Sequence, residues 1–520
     1  MIDFAALALE EYNSDTKTVR HGGKDGNNFW NINSSQFMFV PNFQFPEIPG
    51  GKEYRFTATD CKGKTHTFTA SSPTAPLTPI WKDIAPGMVE LKVEATHQTL
   101  DNIYLIGART FFKSAPFPGR DALPPRACSY KECATKALRY VFEDPVTQHW
   151  LTHAAPDPNY YHNVYPSKMI RSIVKAMIAY AKLEPKNAEK AIQLAKNAAD
   201  YLLSISYPEG SALAGLPPTY SFKGLNKEIV DATAPAADGR KDTMMNIYPA
   251  CAGGMYLLLE QETGDQKYFL AAQRIAQYYL ETVQPNGSWY LLVSAQTGET
   301  LSATNYCATF DMIDFLTAFY QRTKQECWNT LQRNYFDYLQ KTCLQQYNWE
   351  GQFEDIALSG NYRNLTHFCA DSMIRYFVSH CPDDEQQIQE AEQLMRYVED
   401  QFVVWGEFAP WTQKCFPGNP RWYSPACLEQ YFWHVPIDSS TAVIMQTFLS
   451  LYSATKNPLL LEKACALGDA ITRMQNPQTG VIPTHWMKED CATNLENFWI
   501  NCHIATSFNL IELAEAVGEI

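Results

Sequence analysis

From Ser167 to the C-terminus the chain repeats one unit about every 60 to 80 residues. Each unit is a helix apolar nearly all round, a short turn, and a helix with a single apolar stripe. SKMIRSIVKAMIAYAKL is followed by NAEKAIQLAKNAADYLLSI, and NIYPACAGGMYLLLEQ by QKYFLAAQRIAQYYLETV. CATFDMIDFLTAFYQR precedes CWNTLQRNYFDYLQKTC, and THFCADSMIRYFVSH precedes EQQIQEAEQLMRYVEDQF. STAVIMQTFLSLYSA and PLLLEKACALGDAITRM form the fifth pair. The final apolar segment, NFWINCHIATSFNLIELAEA, has no partner after it, whereas the amphipathic KECATKALRYVFED lies unpaired before the first hairpin. Twelve helices result, enough for a closed ring of six hairpins in which the first and last helices complete one pair.

A helix apolar on all sides is buried, and one with a single stripe faces water. The first helix of each hairpin therefore lines the ring and the second forms its outer wall. The long segments Tyr207–Asn246, Gln284–Tyr306, Tyr347–Leu365, Gly406–Asp438 and Asn476–Glu496 join outer to next inner helices, so they emerge on one face, where function is expected. The predicted architecture is mainly α, an (α/α)6 toroid. Ahead of it, QFMFVPNFQF, EYRFTATD, THTFTAS, MVELKVEAT and IYLIGARTFF alternate apolar and polar residues between turns, predicting a small antiparallel β-sandwich. The expected boundaries are 1–118 for the β part, 119–130 for a Pro-punctuated linker, and 131–520 for the toroid.

Composition narrows the partners. With 520 residues and 46% hydrophobic residues the chain can bury a large core, and no stretch approaches a membrane span. A net charge of −14 without a basic stripe argues against nucleic acid. The start, MIDFAALALEEYNSDTK, lacks the features of a signal peptide, and most of the 14 cysteines fall in helix patterns, so reduced thiols and a cytoplasmic location are expected. Oligomeric state is open, a homo-oligomer included. No phosphate loop or dinucleotide fingerprint occurs, and Cys502-His503 reads as core, so no metal and no cofactor are expected.

The loops over the ring are rich in Trp, Tyr and carboxylates, a combination that suits a sugar: aromatic faces stack on its C–H groups. Trp289, Trp433 and Trp486 are candidate platforms, weighed against simple packing of the loops onto the ring. Glycoside cleavage needs two carboxyls about the scissile bond. Among the loop carboxylates, which include Glu350 and Glu429, the densest run is WEGQFEDIALSGNYRNLTHFCADS, with Glu354, Asp355, Tyr362, Arg363 and His367. Glu354 and Asp355 are adjacent, so one of them faces the cleft. Asp438 begins an inner helix and reads equally as cap or as catalytic carboxyl. Asp311 and Asp371 lie inside inner helices, where burial would raise a carboxyl's pKa. Arg240, Asp242, Arg363 and Arg421 share the loop face, and an Arg fork there suits the carboxylate of an acidic sugar. Tyr431, His434, His367 and Tyr362 offer bases and acids for the alternative of proton abstraction.

The hairpin ring behind a β part resembles the six-hairpin carbohydrate-active enzymes, which include glycoside hydrolases, uronate lyases and sugar epimerases. IWKDIAPGMVELKVEA, ARTFFKSAPFPG, YPACAGGMYLLLEQETGDQKY and WEGQFEDI are most similar to the family 154 glycoside hydrolases, β-glucuronidases of this layout. The resemblance implies a hydrolase of a terminal, β-linked glucuronate on a small carbohydrate, while the loops of five hairpins predict a closed pocket and hence exo-action; the site residues rest on the loop chemistry above. The assignments are Asp355 or Glu354 and Asp438 as the catalytic pair, Arg363 and Arg421 on the substrate carboxylate, and Trp433 and Trp289 as stacking platforms. Tyr362, His367, His434, Arg240, Asp242 and Trp486 complete the expected binding set. A lyase or epimerase on the same fold is the alternative, and a non-catalytic sugar-binding protein the third reading.

Overall fold

The computed structural model describes the chain apart from residues 1, 23–32, 98, 100–101, 229, 231–241, 351–364, 414–420, 432–433 and 489–497. After a short first helix, α1 (Phe4–Asn13), twelve helices build the ring. They are α2 (Tyr130–Glu143), α3 (Pro166–Leu183), α4 (Ala188–Ser204), α5 (Tyr248–Thr263), α6 (Gln266–Thr282) and α7 (Asp311–Thr323). α8 (Glu326–Tyr338), α9 (Phe368–His380), α10 (Glu385–Phe402), α11 (Asp438–Thr455), α12 (Pro458–Met474) and α13 (Ile500–Ala516) follow.

Each inner helix packs on its own outer helix: α3 on α4, α5 on α6, α7 on α8, α9 on α10, α11 on α12. The inner helices also pack on one another, α3 on α5, α5 on α7, α9 on α11 and α11 on α13, while α13 returns to α3. α7 and α9 meet through Phe310 and Tyr376, whose rings lie 6.0 Å apart. The unpaired first and last helices do join, α2 serving as the outer wall of α13. Small residues let these helices approach: a Cβ on Gly253 of α5 would lie 2.4 Å from the Phe315 ring of α7, and one on Gly468 of α12 2.4 Å from Leu513 of α13. The seam is tied by Asp469, which accepts from Tyr130 at 2.7 Å and from Arg120 at 2.6 and 3.1 Å.

The N-terminal part is simpler than two full sheets. β1 (Gln36–Phe37), β3 (Gly51–Thr59), β4 (Thr65–Ala70), β6 (Gly87–His97) and β7 (Ile103–Lys113) form one sheet of order β1-β7-β6-β3-β4. β1 runs parallel to β7, and the other pairs are antiparallel. The second layer is a two-stranded ribbon of β2 (Asn42–Gln44) and β5 (Thr74–Pro76), with the Trp81 segment beside it. Phe43 of β2 packs on Phe37 and Phe111 of the sheet at 5.2 and 5.3 Å. The run QFMFVPNFQF, one strand in prospect, breaks into β1 and β2 at Pro41, which has no N–H for a ladder.

One carboxylate fastens this part to the ring. Asp400, fully buried near the end of α10, accepts two hydrogen bonds from the Arg20 guanidinium, at 2.6 and 3.0 Å. The same carboxylate takes the amides of Met38 and Phe39 at 2.9 and 2.8 Å, while the Gln36 and Gln401 side chains each donate to the other's backbone carbonyl, at 2.9 and 3.1 Å. Removing one member of a buried pair strands the other. Asp400→Asn should therefore cost about 3–5 kcal/mol in urea unfolding. A loss under about 1 kcal/mol would mean that the pair is dispensable to the junction.

Candidate functional site

The long loops do end at inner-helix N-termini, and the best-defined chemistry gathers where α11, α13 and α3 begin. Asp438 is the first residue of α11. The residue before it, Ile437, offers no side-chain cap, and the Asp438 carboxyl takes a bond from the Ser439 amide, so a role at the helix start stands beside a chemical one. Its side chain is completely buried, Oδ2 accepts from the Thr506 hydroxyl of α13 at 3.1 Å, and Oδ1 has no hydrogen-bond partner among the described residues. Burial pushes the Asp438 carboxyl well above the usual carboxylate range, and nearby Glu429 adds to this; the Ser439 amide and the Thr506 hydroxyl offset only part of it.

A short hairpin carries both acids. Leu428 bridges Pro436, the Glu429 amide donates to the Val435 carbonyl at 3.2 Å, and the Ile437 amide to the Cys427 carbonyl at 3.1 Å. Glu429 stands half-buried on one arm, and Asp438 ends the other. Thr484 fixes Asp438 against α13: its carbonyl accepts the Asp438 amide at 3.0 Å, and its hydroxyl accepts the Trp499 amide at 2.9 Å. Trp499, half-buried just before α13, stacks on His162 at 3.6 Å. The Lys168 ammonium of α3 lies 5.1 Å from the Trp499 ring and 5.4 Å from that of Tyr165. Burial, with Lys168 and His485 adding to it, drives the His162 imidazole down to about 3, and burial drives His485 to about 4. Both rings are neutral at pH 7.

Other expected residues are placed differently. Trp289 is fully buried, donates to the Tyr279 carbonyl at 2.9 Å and packs between Tyr279 and Tyr335, each 5.1 Å away. Trp486 is also fully buried, its carbonyl accepting the Tyr423 amide at 3.0 Å. Neither offers a face to a sugar, so the stacking role expected of them is withdrawn; the turns before them bend the chain back onto the ring. His367 precedes α9 and is fully buried, its Nδ1 hydrogen-bonded to Asp371 and its ring packed between Phe368 and Phe402. His434 accepts from the Trp411 indole at 3.1 Å, and burial lowers its pKa to about 4. Asp242 and Arg421 are exposed, Asp242 beside β8 (Thr243–Met245). Glu354, Asp355, Tyr362, Arg363, Arg240 and Trp433 lie outside the described residues. Cys502-His503 is core in its second half, with His503 bonded to the Ala137 carbonyl and the Ile482 amide at 3.0 and 3.2 Å. No group of three or more metal-ligating side chains gathers among the described residues.

Trp499, His162, Lys168 and His485 escaped the reading of the sequence. Their shared signal is position: each sits at or just before an inner-helix start, or in the segment pinned to one.

No family model matches the chain, and no curated protein matches it. Solved structures do. Cellobiose 2-epimerase from Spirochaeta thermophila aligns with a TM-score of 0.50 at 12% identity, over 75% of this chain and 98% of that one. A family 76 glycoside hydrolase from a bovine Bacteroides thetaiotaomicron strain gives 0.45 at 11% identity, over 92% and 95%. An unsaturated glucuronyl hydrolase specific for heparin gives 0.45 at 12%, over 75% and 98%. At such identities the epimerase match carries the fold alone: this chain shares its ring of helical hairpins.

The two tryptophan classes separate experimentally. Trp289→Ala should cost about 3–5 kcal/mol of stability, as for any large core residue. Trp499→Ala, at a half-buried position, should cost far less. Equal losses in chemical denaturation would return Trp289 to the surface class.

Proposed function

We propose that the protein is a glycoside hydrolase that removes a terminal uronic acid, β-linked glucuronate in the first instance, with Asp438 as the general acid. The observation that carries this reading is the buried Asp438 at a helix N-terminus, its carboxyl pKa raised by burial, with Glu429 on the facing arm of one hairpin. Asp438 would give its proton to the glycosidic oxygen as the bond to the anomeric carbon breaks, which requires the completely buried Oδ1, without a hydrogen-bond partner among the described residues, to be uncovered when the sugar enters. The carboxylate left behind then gains from the Thr506 hydroxyl and from the positive end of α11. Glu429 supplies the second carboxylate, to direct water or to attack the sugar. This pair replaces Glu354 and Asp355 as the first choice, because its environment can be described. Trp499, with Lys168 beside it, is the stacking wall.

A lyase or epimerase reading is favoured by the neutral imidazoles of His162 and His485 at the same mouth. Values near 3 and 4 make them weak bases at pH 7, however, where a general base works best with a pKa near the operating pH. Ultraviolet absorbance from a new conjugated double bond during polyuronate digestion would decide for the lyase.

Asp438→Asn should lower the rate of glucuronide hydrolysis by roughly 10²–10⁴. Wild-type activity should fall on the alkaline side as Asp438 loses its proton. The stability sign follows the same shift. A carboxyl whose folded pKa is raised supports the fold fully below its ordinary value of 3.8, and that support is lost as pH rises towards the folded value. Asp438→Asn should thus be no more stable than wild type at pH 3 and more stable at pH 8. Unchanged hydrolysis in Asp438→Asn would sink the assignment.

Long segments lead into the inner-helix starts, and loops gathered there would favour a pocket that takes a chain end. Digestion of a long glucuronate-ended polymer should release monosaccharide from the start. Mid-size fragments at early times would contradict exo-action.

A further inference from the structure

Below the mouth, the inner helices turn polar side chains towards the ring axis. On α3 these are Arg171 and, one turn deeper, Lys175. The Arg171 Nη1 donates to Asp311 Oδ1 and to Cys251 Sγ, both at 2.6 Å. Its Nε and Nη2 make no hydrogen bond among the described residues. Lys175 is exposed to water, yet it makes no ion pair or hydrogen bond among the described residues. Helical side chains lean towards their own N-terminus. That lean is how Arg171, inside α3, reaches Asp311, the first residue of α7. The guanidinium therefore stands level with the helix starts, as Asp438 does at the start of α11, and Lys175 approaches it from below.

Two cations one turn apart repel each other. Arg171 foremost, and the enclosing protein next, lower the Lys175 ammonium from its usual range. The facing groups offset the pair only in part: Asp311, Asp314 and Cys251 act to raise the Lys175 ammonium, yet its net shift is downward. Asp311 is already engaged by Arg171, and burial raises the carboxyl pKa of Asp314. Arg375 is turned to Gln446 and Ser372 at 2.8 and 3.1 Å, and burial raises Glu512 too. Beside Cys251 on the α5 wall, Gly254 has open space where its Cβ would stand, with no atom within 4 Å.

We infer that Arg171 and Lys175 form an oxyanion subsite at the floor of the pocket and receive the carboxylate of the uronic acid, a task first assigned to Arg363 and Arg421. The inference rests on the uronic-acid reading above and deepens it. The open edge of a planar guanidinium and a mobile ammonium would hold a carboxylate between them, removing the repulsion that the empty pair carries. A neutral sugar would leave that repulsion in place, so the same pair selects against it.

Lys175→Gln is the informative variant: the side chain is exposed and makes no hydrogen bond or ion pair among the described residues, so the melting temperature should not fall, and relief of the repulsion with Arg171 would only raise it. Calorimetry with glucuronate, glucose and inorganic phosphate is the measurement. Wild type should bind glucuronate more tightly than glucose, and Lys175→Gln should weaken glucuronate roughly ten-fold or more, with glucose unchanged. Glucuronate binding that is equal in the two proteins, or no better than glucose, would overturn the subsite. Phosphate bound as tightly as glucuronate would overturn its assignment to a carboxylate. Lys175-dependent glucuronate binding without hydrolysis of any glucuronide would leave the subsite standing and remove the hydrolase.

Discussion

The ring depends on one constraint: α13 is apolar nearly all round and cannot remain stable with an uncovered flank. Five inner helices receive an outer partner from the residues that follow them, but α13 has none. α2 supplies it from the far end of the ring sequence, and Asp469 binds Tyr130 and Arg120 across the seam. Everything functional follows from closure. Only a closed ring brings the start of α13 beside α11, where Thr506 reaches Asp438, and returns α13 to α3, where Trp499 meets His162 and Lys168.

The ring also explains how one carboxyl can have its pKa raised. A helix N-terminus alone favours ionisation. The Asp438 pKa is nevertheless raised, because α13 and the hairpin enclose it and leave Thr506 as its side-chain partner. Burial outweighs the dipole here. His162 and His485, in the same shell, respond in the opposite direction, their pKa values lowered by burial. One desolvated neighbourhood thus favours the neutral form of the acid and of the imidazoles alike.

Much of the architecture was legible in the sequence because it is written in amphipathicity. The contrast between apolar and striped helices gave inner and outer walls, and their number implied closure. Asp438 was visible as a carboxylate at an inner-helix start. The aromatics were not legible in the same way. Trp289 and Trp486 follow turns just as a loop platform would, and only the packing of Trp289 against Tyr279 and Tyr335, and the complete burial of Trp486, set them apart from one. Arg171 and Lys175 were hidden for the converse reason: in SKMIRSIVKAMIAYAKL they pass for tolerated polar residues within an apolar helix, since the sequence does not say that the axis of the ring is wet. The β part was expected as a sandwich, and the division of its strands into a five-stranded sheet and a two-stranded ribbon was not legible, because alternation marks strands without saying which of them join one sheet.

The seam between α2 and α13 has a consequence for how the molecule is made. Its two halves are separated by more of the chain than any other hairpin in the ring, and contacts of such span are slow to form. During synthesis α2 emerges early and waits with its apolar stripe uncovered while five hairpins are added. Those hairpins can each collapse locally, yet the curved wall they form stays open on one side until α13 arrives. The acid, its hydroxyl partner and the aromatic wall all border that last gap, so catalytic competence and completion of the fold become a single event.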